Sequence, residues 1–96
     1  VYLLFSVGSV LYWRMELFPS SAYLTKIRPA ENMRRFYALQ VMPDLFGGCS
    51  LIRRWGRIGT YGADRIEHFP SEGAALGALR DWIDAKAKRG YALQLV

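Results

Sequence analysis

Three residues near the middle of the chain have side chains that suit nucleic-acid recognition. Arg53, Trp55 and Arg57 stand at every second position, and alternate residues of a β-strand lie on the same face of a sheet. An indole ring stacks on a base or sugar, which contributes about 1–3 kcal/mol per stacked base, while guanidinium groups bind phosphates. The spacing therefore predicts a surface on which an aromatic ring is flanked by two cations.

A structural role for the same tryptophan is the alternative interpretation. Tryptophan side chains are usually largely buried, and arginines often lie along apolar surface while their charged ends reach water. On the strand pattern alone, packing of Trp55 within the sheet is favoured over a binding role. Arg54 and Gly56 are expected on the opposite face, where Gly56 places no side chain beside the indole.

Positive charge is concentrated in the half of the chain that contains these residues. From Met15 to Thr60, seven basic residues stand against three acidic ones, whereas Tyr61–Val96 contains five of each. The 96-residue chain has a formal net charge of +5. A basic excess in one half of a small domain predicts a polyanionic partner, either nucleic acid or an anionic membrane surface, although moderately basic proteins are also common for solubility alone.

Composition restricts the class of protein further. With 52% hydrophobic, 15% aromatic and 22% charged residues, the chain is predicted to fold as one small domain and is too short for a separate cofactor domain. It has one cysteine, Cys49, and one histidine, His68, which excludes an internal disulfide and a His/Cys metal cluster. Both counts are typical of a reducing compartment, so we expect a cytoplasmic protein without metal or cofactor.

Alternating apolar residues predict four strands in succession. These strands are expected at Tyr23–Arg28, Met33–Met42, Cys49–Ile58 and Asp64–Phe69. Proline or glycine residues separate them and provide the turns. In the second strand, Tyr37, Leu39 and Val41 form an apolar face, and the face that contains Phe36 is more mixed in character.

A helix and a last short strand complete the predicted domain. Ser71 is expected as the helix N-cap and Gly90 as the residue that ends the helix. The apolar residues at helical spacing are Ala75, Leu76, Leu79, Trp82, Ile83 and Ala87. The basic residues Lys86, Lys88 and Arg89 are interpreted as a complement to the helix dipole. With Tyr91–Val96 as a further strand, the predicted fold class is α+β, an antiparallel sheet of four to five strands with one amphipathic helix on one face.

Residues 1–22 are interpreted as an N-terminal extension or leader that precedes a single domain at residues 23–96. The uncharged run Val1–Trp13 is shorter than the roughly 20 residues that cross a bilayer, and it lacks the basic residues and cleavage site of a secretory signal. We therefore expect no membrane partner. Because a polar stretch opens at Met15, we expect the native chain to start there, with residues 1–14 outside it. An added strand on the domain is the alternative.

The strand around Trp55 resembles the signature of a known family. Residues 53–60, RRWGRIGT, are similar to the motif of the WGR domain, which occurs beside the catalytic domain of poly(ADP-ribose) polymerases and in small bacterial proteins. Further elements match in the same order, namely Asn32 before Arg35-Phe36-Tyr37, Gly47-Gly48, Thr60-Tyr61-Gly62, Ser71 with Ala75, and Lys86 before Gly90-Tyr91. The resemblance extends over about Leu24–Tyr91 and is specific because several spaced elements agree.

The resemblance implies a stand-alone, non-enzymatic WGR-like module that binds DNA ends or nicks with little sequence specificity, with DNA favoured over RNA. By analogy with the polymerases, Trp55 would contact the terminal nucleotide, and Arg57 would bind phosphate or relay the bound state. Ala63 departs from the glutamine that the family often has there. The expected nucleic-acid-binding residues are Trp55, Arg57, Arg53, Arg54, Arg35 and Lys26, and the expected structural residues of the motif are Gly56, Gly59, Gly62 and Tyr37.

A protein-interaction or regulatory adaptor is the alternative function, in which the same basic face meets an acidic protein. An enzyme is not expected, because no nucleophile, base and orienting group converge in the sequence. Cys49 is interpreted as a small residue that starts a strand, and His68 as a packing or capping residue. Asp81 and Asp84 fit a solvated helix surface with Arg80 nearby.

Overall fold

A computed structural model describes residues 20–45 and 47–94 of the protein. Within them, five strands and one α-helix form the domain, and a short 3-10 helix at Pro29–Glu31 joins the first two strands. The strands are β1 (Ser21–Arg28), β2 (Met33–Pro43), β3 (Cys49–Arg57), β4 (Ala63–Phe69) and β5 (Ala92–Leu93), and the helix is α1 (Glu72–Lys88). The prediction of an α+β fold with one helix on an antiparallel sheet is confirmed.

The sheet is a meander with one added strand. Its strand order is β4-β3-β2-β1-β5, and every neighbouring pair is antiparallel. Short turns connect β1 to β4 in chain order, as antiparallel neighbours allow. The chain then crosses the sheet through α1 and places β5 beside β1, at the edge opposite β4. The central strands β2 and β3 pair over the longest stretch, from Arg35 opposite Arg57 to Pro43 opposite Cys49.

The core lies between one face of the sheet and α1. Leu24, Leu39 and Leu51 come from the three central strands, and Ala75 and Leu79 come from the helix; all are almost completely buried. Their burial follows from the two periods in the sequence, every second residue in a strand and every third or fourth in a helix. The predicted helix stripe is correct except at Ala87, which is exposed.

The helix ends as its sequence predicts. The Ser71 hydroxyl accepts a hydrogen bond from the Ala74 backbone N–H (3.2 Å), which satisfies one of the free N–H groups of the first turn. After the last turn, Gly90 has a positive φ of 96°, a conformation that glycine adopts without strain. The basic residues Lys86 and Lys88 lie in that last turn.

The last strand is shorter than predicted. Only Ala92 and Leu93 pair with β1, and the Gln94 N–H then donates to the Tyr23 carbonyl (2.8 Å). Tyr91 is not part of the strand, since it turns its ring toward the helix side of the sheet, against Tyr37. The predicted positions 95–96 lie outside the described residues, as do positions 1–19 of the expected leader at residues 1–22 and the alternative of an added strand there.

The second face of the sheet is not covered by the helix, yet it contains a buried aromatic residue. Phe36 is 3% exposed because the Tyr23 ring stacks beside it (6.0 Å between ring centres) and the Arg54 guanidinium lies over it at 5.5 Å. Gly56 leaves space beside Phe36, since no side chain projects next to the Phe36 ring.

No helix among the described residues combines the length and the apolar character needed to cross a membrane.

The turn between β3 and β4 depends on two glycines for different reasons. Gly59 and Gly62 both have positive φ, 98° and 80° respectively. A side chain at Gly59 would project into open space, whereas a Cβ at Gly62 would overlap the carbonyl group of Trp55. The backbone of the turn therefore lies directly against the strand that carries Trp55.

Replacing these two glycines by alanine separates conformational strain from close contact. Gly59→Ala is expected to lower the free energy of unfolding by about 1–2 kcal/mol, from the positive φ alone. Gly62→Ala is expected to lower it by about 1–3 kcal/mol more, because the added methyl group displaces the backbone of β3. Urea denaturation of both variants measures the difference. Equal losses in the two variants would show that the turn does not press on Trp55.

Candidate nucleic-acid interface

Trp55 lies on the helix side of the sheet, at one end of a row of three side chains that crosses β1, β2 and β3. The register places Leu24 of β1 opposite Tyr37 of β2, and Tyr37 opposite Trp55 of β3. The Tyr37 and Trp55 rings are stacked with their centres 5.8 Å apart and an angle of 20° between them. Trp55 packs against the core and remains half-buried, so its structural role leaves part of the indole accessible.

A second row, next to the first, consists of cations alone. Lys26 of β1 lies opposite Arg35 of β2, and Arg35 lies opposite Arg57 of β3. All three share the face of Trp55, because each is two residues away from a member of the first row. Arg57 is oriented by Asn32, whose backbone carbonyl and side-chain oxygen accept hydrogen bonds from its guanidinium at 3.3 and 3.4 Å. All three were among the expected binding residues, but only the register brings them into one row.

Arg53 is held between two indole rings on the other side of Trp55. Its guanidinium carbon is 4.1 Å from the centre of the Trp82 ring and 5.7 Å from that of Trp55. One guanidinium nitrogen donates to the Tyr37 hydroxyl (3.0 Å), and the buried Nε has no hydrogen-bond partner within the described chain. Arg53 therefore fixes the position of the aromatic rings while its charge stays close to them.

Lys86 belongs to the same site, although the sequence analysis assigned it to the helix dipole. Its ammonium lies 4.4 Å from the centre of the Tyr37 ring and 5.6 Å from that of Tyr91. The sequence contained a signal for this position. Lys86 follows Trp82 by four residues and thus continues the core-facing stripe of α1 beyond its apolar part. A lysine in such a stripe points at the sheet, not at solvent.

Together these residues form a basic surface with an aromatic centre, which we call the Trp55 surface: Lys26, Arg35, Arg53, Trp55, Arg57 and Lys86. Two clefts border the indole. One, of about 290 Å³, lies toward Trp82 and Arg89, and the other, of about 460 Å³, lies toward Asn32 and Tyr91, with Glu31 at its edge. Both clefts are large enough for part of a ligand to lie beside the accessible part of the Trp55 ring.

Among the described residues, no carboxylate is paired with a cation of the Trp55 surface. None of its five cations forms an ion pair within residues 20–45 and 47–94, and Glu31 pairs instead with Arg28 (3.9 Å). Burial lowers the pKa of Lys86, and the nearby charges of Arg89, Arg53 and Lys26 lower it further. Lys26, Arg53 and Lys86 are stabilised by aromatic rings, and Lys86 also lies near the negative end of the α1 dipole. Their charge is therefore available to an external anion.

One predicted binding residue lies elsewhere. Arg54 is on the opposite face of the sheet, over Phe36 and 4.8 Å from the centre of the Tyr61 ring, so it does not join Trp55. The Tyr61 hydroxyl donates to Asp64 (2.6 Å), and this hydrogen bond, together with the Asp64 charge, raises the pKa of Tyr61. Arg54 therefore packs on the face of the sheet that α1 does not cover.

A serine, a histidine and an aspartate also meet, a convergence that the sequence analysis did not find. The Ser50 hydroxyl is hydrogen-bonded to His68 Nδ1 (2.9 Å), and an Asp44 oxygen lies 3.7 Å from the same nitrogen. A hydrolase triad needs the two partners on different ring nitrogens, so that one nitrogen takes the serine proton while the other is held by the carboxylate. This arrangement does not meet that requirement. Across the described ranges, no group of three or more His, Cys, Asp or Glu side chains is placed to hold a metal ion.

Known proteins are similar to this chain in sequence and in fold. The family model of the WGR domain matches residues 20–95. The uncharacterized protein y4dW of Sinorhizobium fredii is 42% identical over 73 residues, a match that covers 76% of this chain and 36% of that protein. A crystal structure of a Bacteroides fragilis protein superposes with a TM-score of 0.62 at 25% identity, over 78% of this chain and 19% of the other. The chain thus spans about a third or less of the length of these two relatives.

The lowered pKa of Lys86 makes stability depend on alkaline pH with a defined sign. The folded chain releases this proton at a lower pH than the unfolded chain does, so raising the pH between the two pKa values favours the folded state. Relative to Lys86→Gln, the melting temperature of the wild type is therefore expected to rise from pH 8 to pH 10. Thermal melts over this range measure the difference, and Lys88→Gln, which retains Lys86, is the control. A difference that stays constant with pH would contradict the assignment.

Proposed function

The chain belongs to the WGR domain family, and from that premise we propose that its Trp55 surface binds nucleic acid, with DNA ends and nicks as the favoured partner. The WGR domain is a binding module rather than a catalytic one. The observation that carries the proposal is the row Lys26–Arg35–Arg57 beside the half-buried Trp55, with no carboxylate paired to these cations among the described residues. We place this binding in the cytoplasm, in keeping with the cysteine content.

The cation row is suited to the phosphates of one strand. Neighbouring strands of a sheet are about 4.8 Å apart, so the three cations extend over about 10 Å. A row of this length reaches neighbouring phosphates of one strand, whose spacing along the backbone exceeds the rise of about 3.4 Å per nucleotide along the duplex axis. Phosphate contacts of this kind give affinity without reading the sequence, which agrees with a module of little sequence specificity.

Stacking on Trp55 supplies the preference for interrupted DNA. In a continuous duplex each base is already stacked on both sides, so an indole has no free face to contact. At an end, a nick or a single strand, a base or sugar is accessible, and stacking contributes about 1–3 kcal/mol. The Tyr37 ring and the Arg53 guanidinium hold the indole from behind and beside it, so little side-chain entropy is lost on binding.

Lys86 adds a charge at the point where stacking and phosphate binding meet. Its ammonium is near both Tyr37 and Tyr91, next to the cation row. The pKa of Lys86 is lowered by burial and then by the charges of Arg89, Arg53 and Lys26, and an anion bound here would offset the repulsion among these cations. Relief of the repulsion among these cations thus adds to the free energy of binding when a polyanion neutralises them.

Two substitutions are expected to weaken DNA binding in distinguishable ways. Trp55→Ala is expected to lower the affinity for nicked DNA about ten- to hundredfold and to leave the salt dependence unchanged. Arg57→Ala is expected to lower affinity as well, and to reduce the slope of log K against log salt by about 0.9, the value for one lost phosphate contact. Fluorescence anisotropy with nicked, blunt-ended and single-stranded DNA, at several salt concentrations, measures both effects.

Arg80→Ala is the matched control, because Arg80 is exposed on α1 away from the Trp55 surface. Circular dichroism establishes that each variant is folded. Absent or salt-independent binding to all three DNA forms would reject the proposal. In that case a pull-down that retains its partners after nuclease treatment would identify an acidic protein as the ligand of the same face.

A further inference from the structure

β4 is the edge strand on one side of the sheet. β4 pairs with β3 on one side, and within residues 20–45 and 47–94 no strand pairs with its other side. The strand is seven residues long, and all but Phe69 are exposed. Such an edge presents unpaired backbone N–H and C=O groups, which readily accept another strand.

The order of residues in β4 is self-complementary in charge. Residues 63–69 read ADRIEHF, so that an antiparallel copy centred on Ile66 places Ile66 opposite Ile66. In the same register, Arg65 lies opposite Glu67 of the second copy, and Asp64 lies opposite His68. Each pair occurs twice because the arrangement is symmetric. Opposite charges directly across two strands stabilise their pairing, and like charges destabilise it.

The neighbouring registers are all unfavourable at their centre. In a symmetric antiparallel pair, each residue lies opposite a residue of the same face of the sheet. Moving the centre of the pair by one residue therefore shifts every pairing by two residues. The alternatives centre on Asp64, Arg65, Glu67 or His68. Each sets a polar or charged residue against its own copy, whereas the Ile66 register sets an apolar residue there.

The three central side chains of the Ile66 register, those of Arg65, Ile66 and Glu67, are exposed and can meet a second copy. Ile66 is 56% exposed on the face not covered by α1, and it lies beside Ile52 of β3 in the same sheet. Two copies would align four isoleucines in one apolar strip. Arg65 and Glu67 lie on the other face, are exposed, and have no side-chain partner among the described residues.

We propose that β4 pairs with β4 of a second copy of this chain, in the antiparallel register centred on Ile66. The two sheets then join into one sheet of ten strands, since each copy contributes five. The two-fold axis is perpendicular to the sheet, so both helices and both Trp55 surfaces lie on the same side. The dimer would present two basic surfaces in one direction, a consequence that does not depend on which polyanion they bind.

Charge reversal across the pair tests the register. Arg65→Glu and Glu67→Arg each convert two attractive pairs of the dimer into two repulsive ones, and each is expected to raise the dimer dissociation constant at least about tenfold, equivalent to about 1.4 kcal/mol. The double variant R65E/E67R restores opposite charges and is expected to return to within about threefold of the wild type. Sedimentation equilibrium of the full 96-residue chain measures each constant.

A second pair of variants tests the centre of the interface. Ile66→Lys sets two ammonium groups against each other at the two-fold axis and is expected to give a monomer. Ile27→Lys is its control, since Ile27 is similarly exposed on the same face of the sheet but lies in β1, away from the β4 edge. A wild-type chain that is monomeric at every concentration would overturn the proposal. So would a dimer in which the double variant is as weak as the single ones.

Discussion

The Tyr37 side chain connects the core of the domain to its candidate binding surface. Its ring is buried and contacts three other aromatic rings, those of Trp55, Trp82 and Tyr91. Its hydroxyl accepts a hydrogen bond from Arg53, and its ring faces the Lys86 ammonium. Because the strand pairing, the helix packing and the cations all converge on this one side chain, the position of Trp55 is determined by the same contacts that stabilise the fold.

Because successive side chains of β3 point to opposite faces of the sheet, its two arginines make different contacts on the two faces. On one face, Arg53 and Trp55 lie among aromatic residues from β2 and α1. On the other, Arg54 covers Phe36 and Tyr61. The two arginines are adjacent in sequence, and in both the buried Nε has no hydrogen-bond partner in the described chain. Aromatic rings lie over both guanidinium groups, and neither forms an ion pair with a carboxylate among the described residues, so positive charge is concentrated on this strand.

Most of the sheet and five of the six residues of the Trp55 surface could be predicted from the sequence, whereas Lys86 could not, for a physical reason. Strand alternation is a local property, so Arg53, Trp55 and Arg57 were correctly placed on one face. The position of α1 along the sheet is not local, and therefore the approach of Lys86 to Tyr37 was missed. Phe36 was missed for the same reason, since its burial depends on Tyr23 and Arg54 from two other strands. The Ser50–His68 contact likewise needs the register of β3 with β4.

The way in which the cations are stabilised decides what the surface can do. A carboxylate beside each cation would stabilise the folded chain and would also compete with phosphate for the same charge. Aromatic faces and a helix C-terminus stabilise a cation more weakly and without carrying a full negative charge. The lowered pKa of Lys86 is the sign that this stabilisation is incomplete, since burial and three neighbouring cations disfavour its charged form. A polyanion bound there as proposed would offset the repulsion among these cations, so the least compensated part of the fold is the part best suited to an anionic partner.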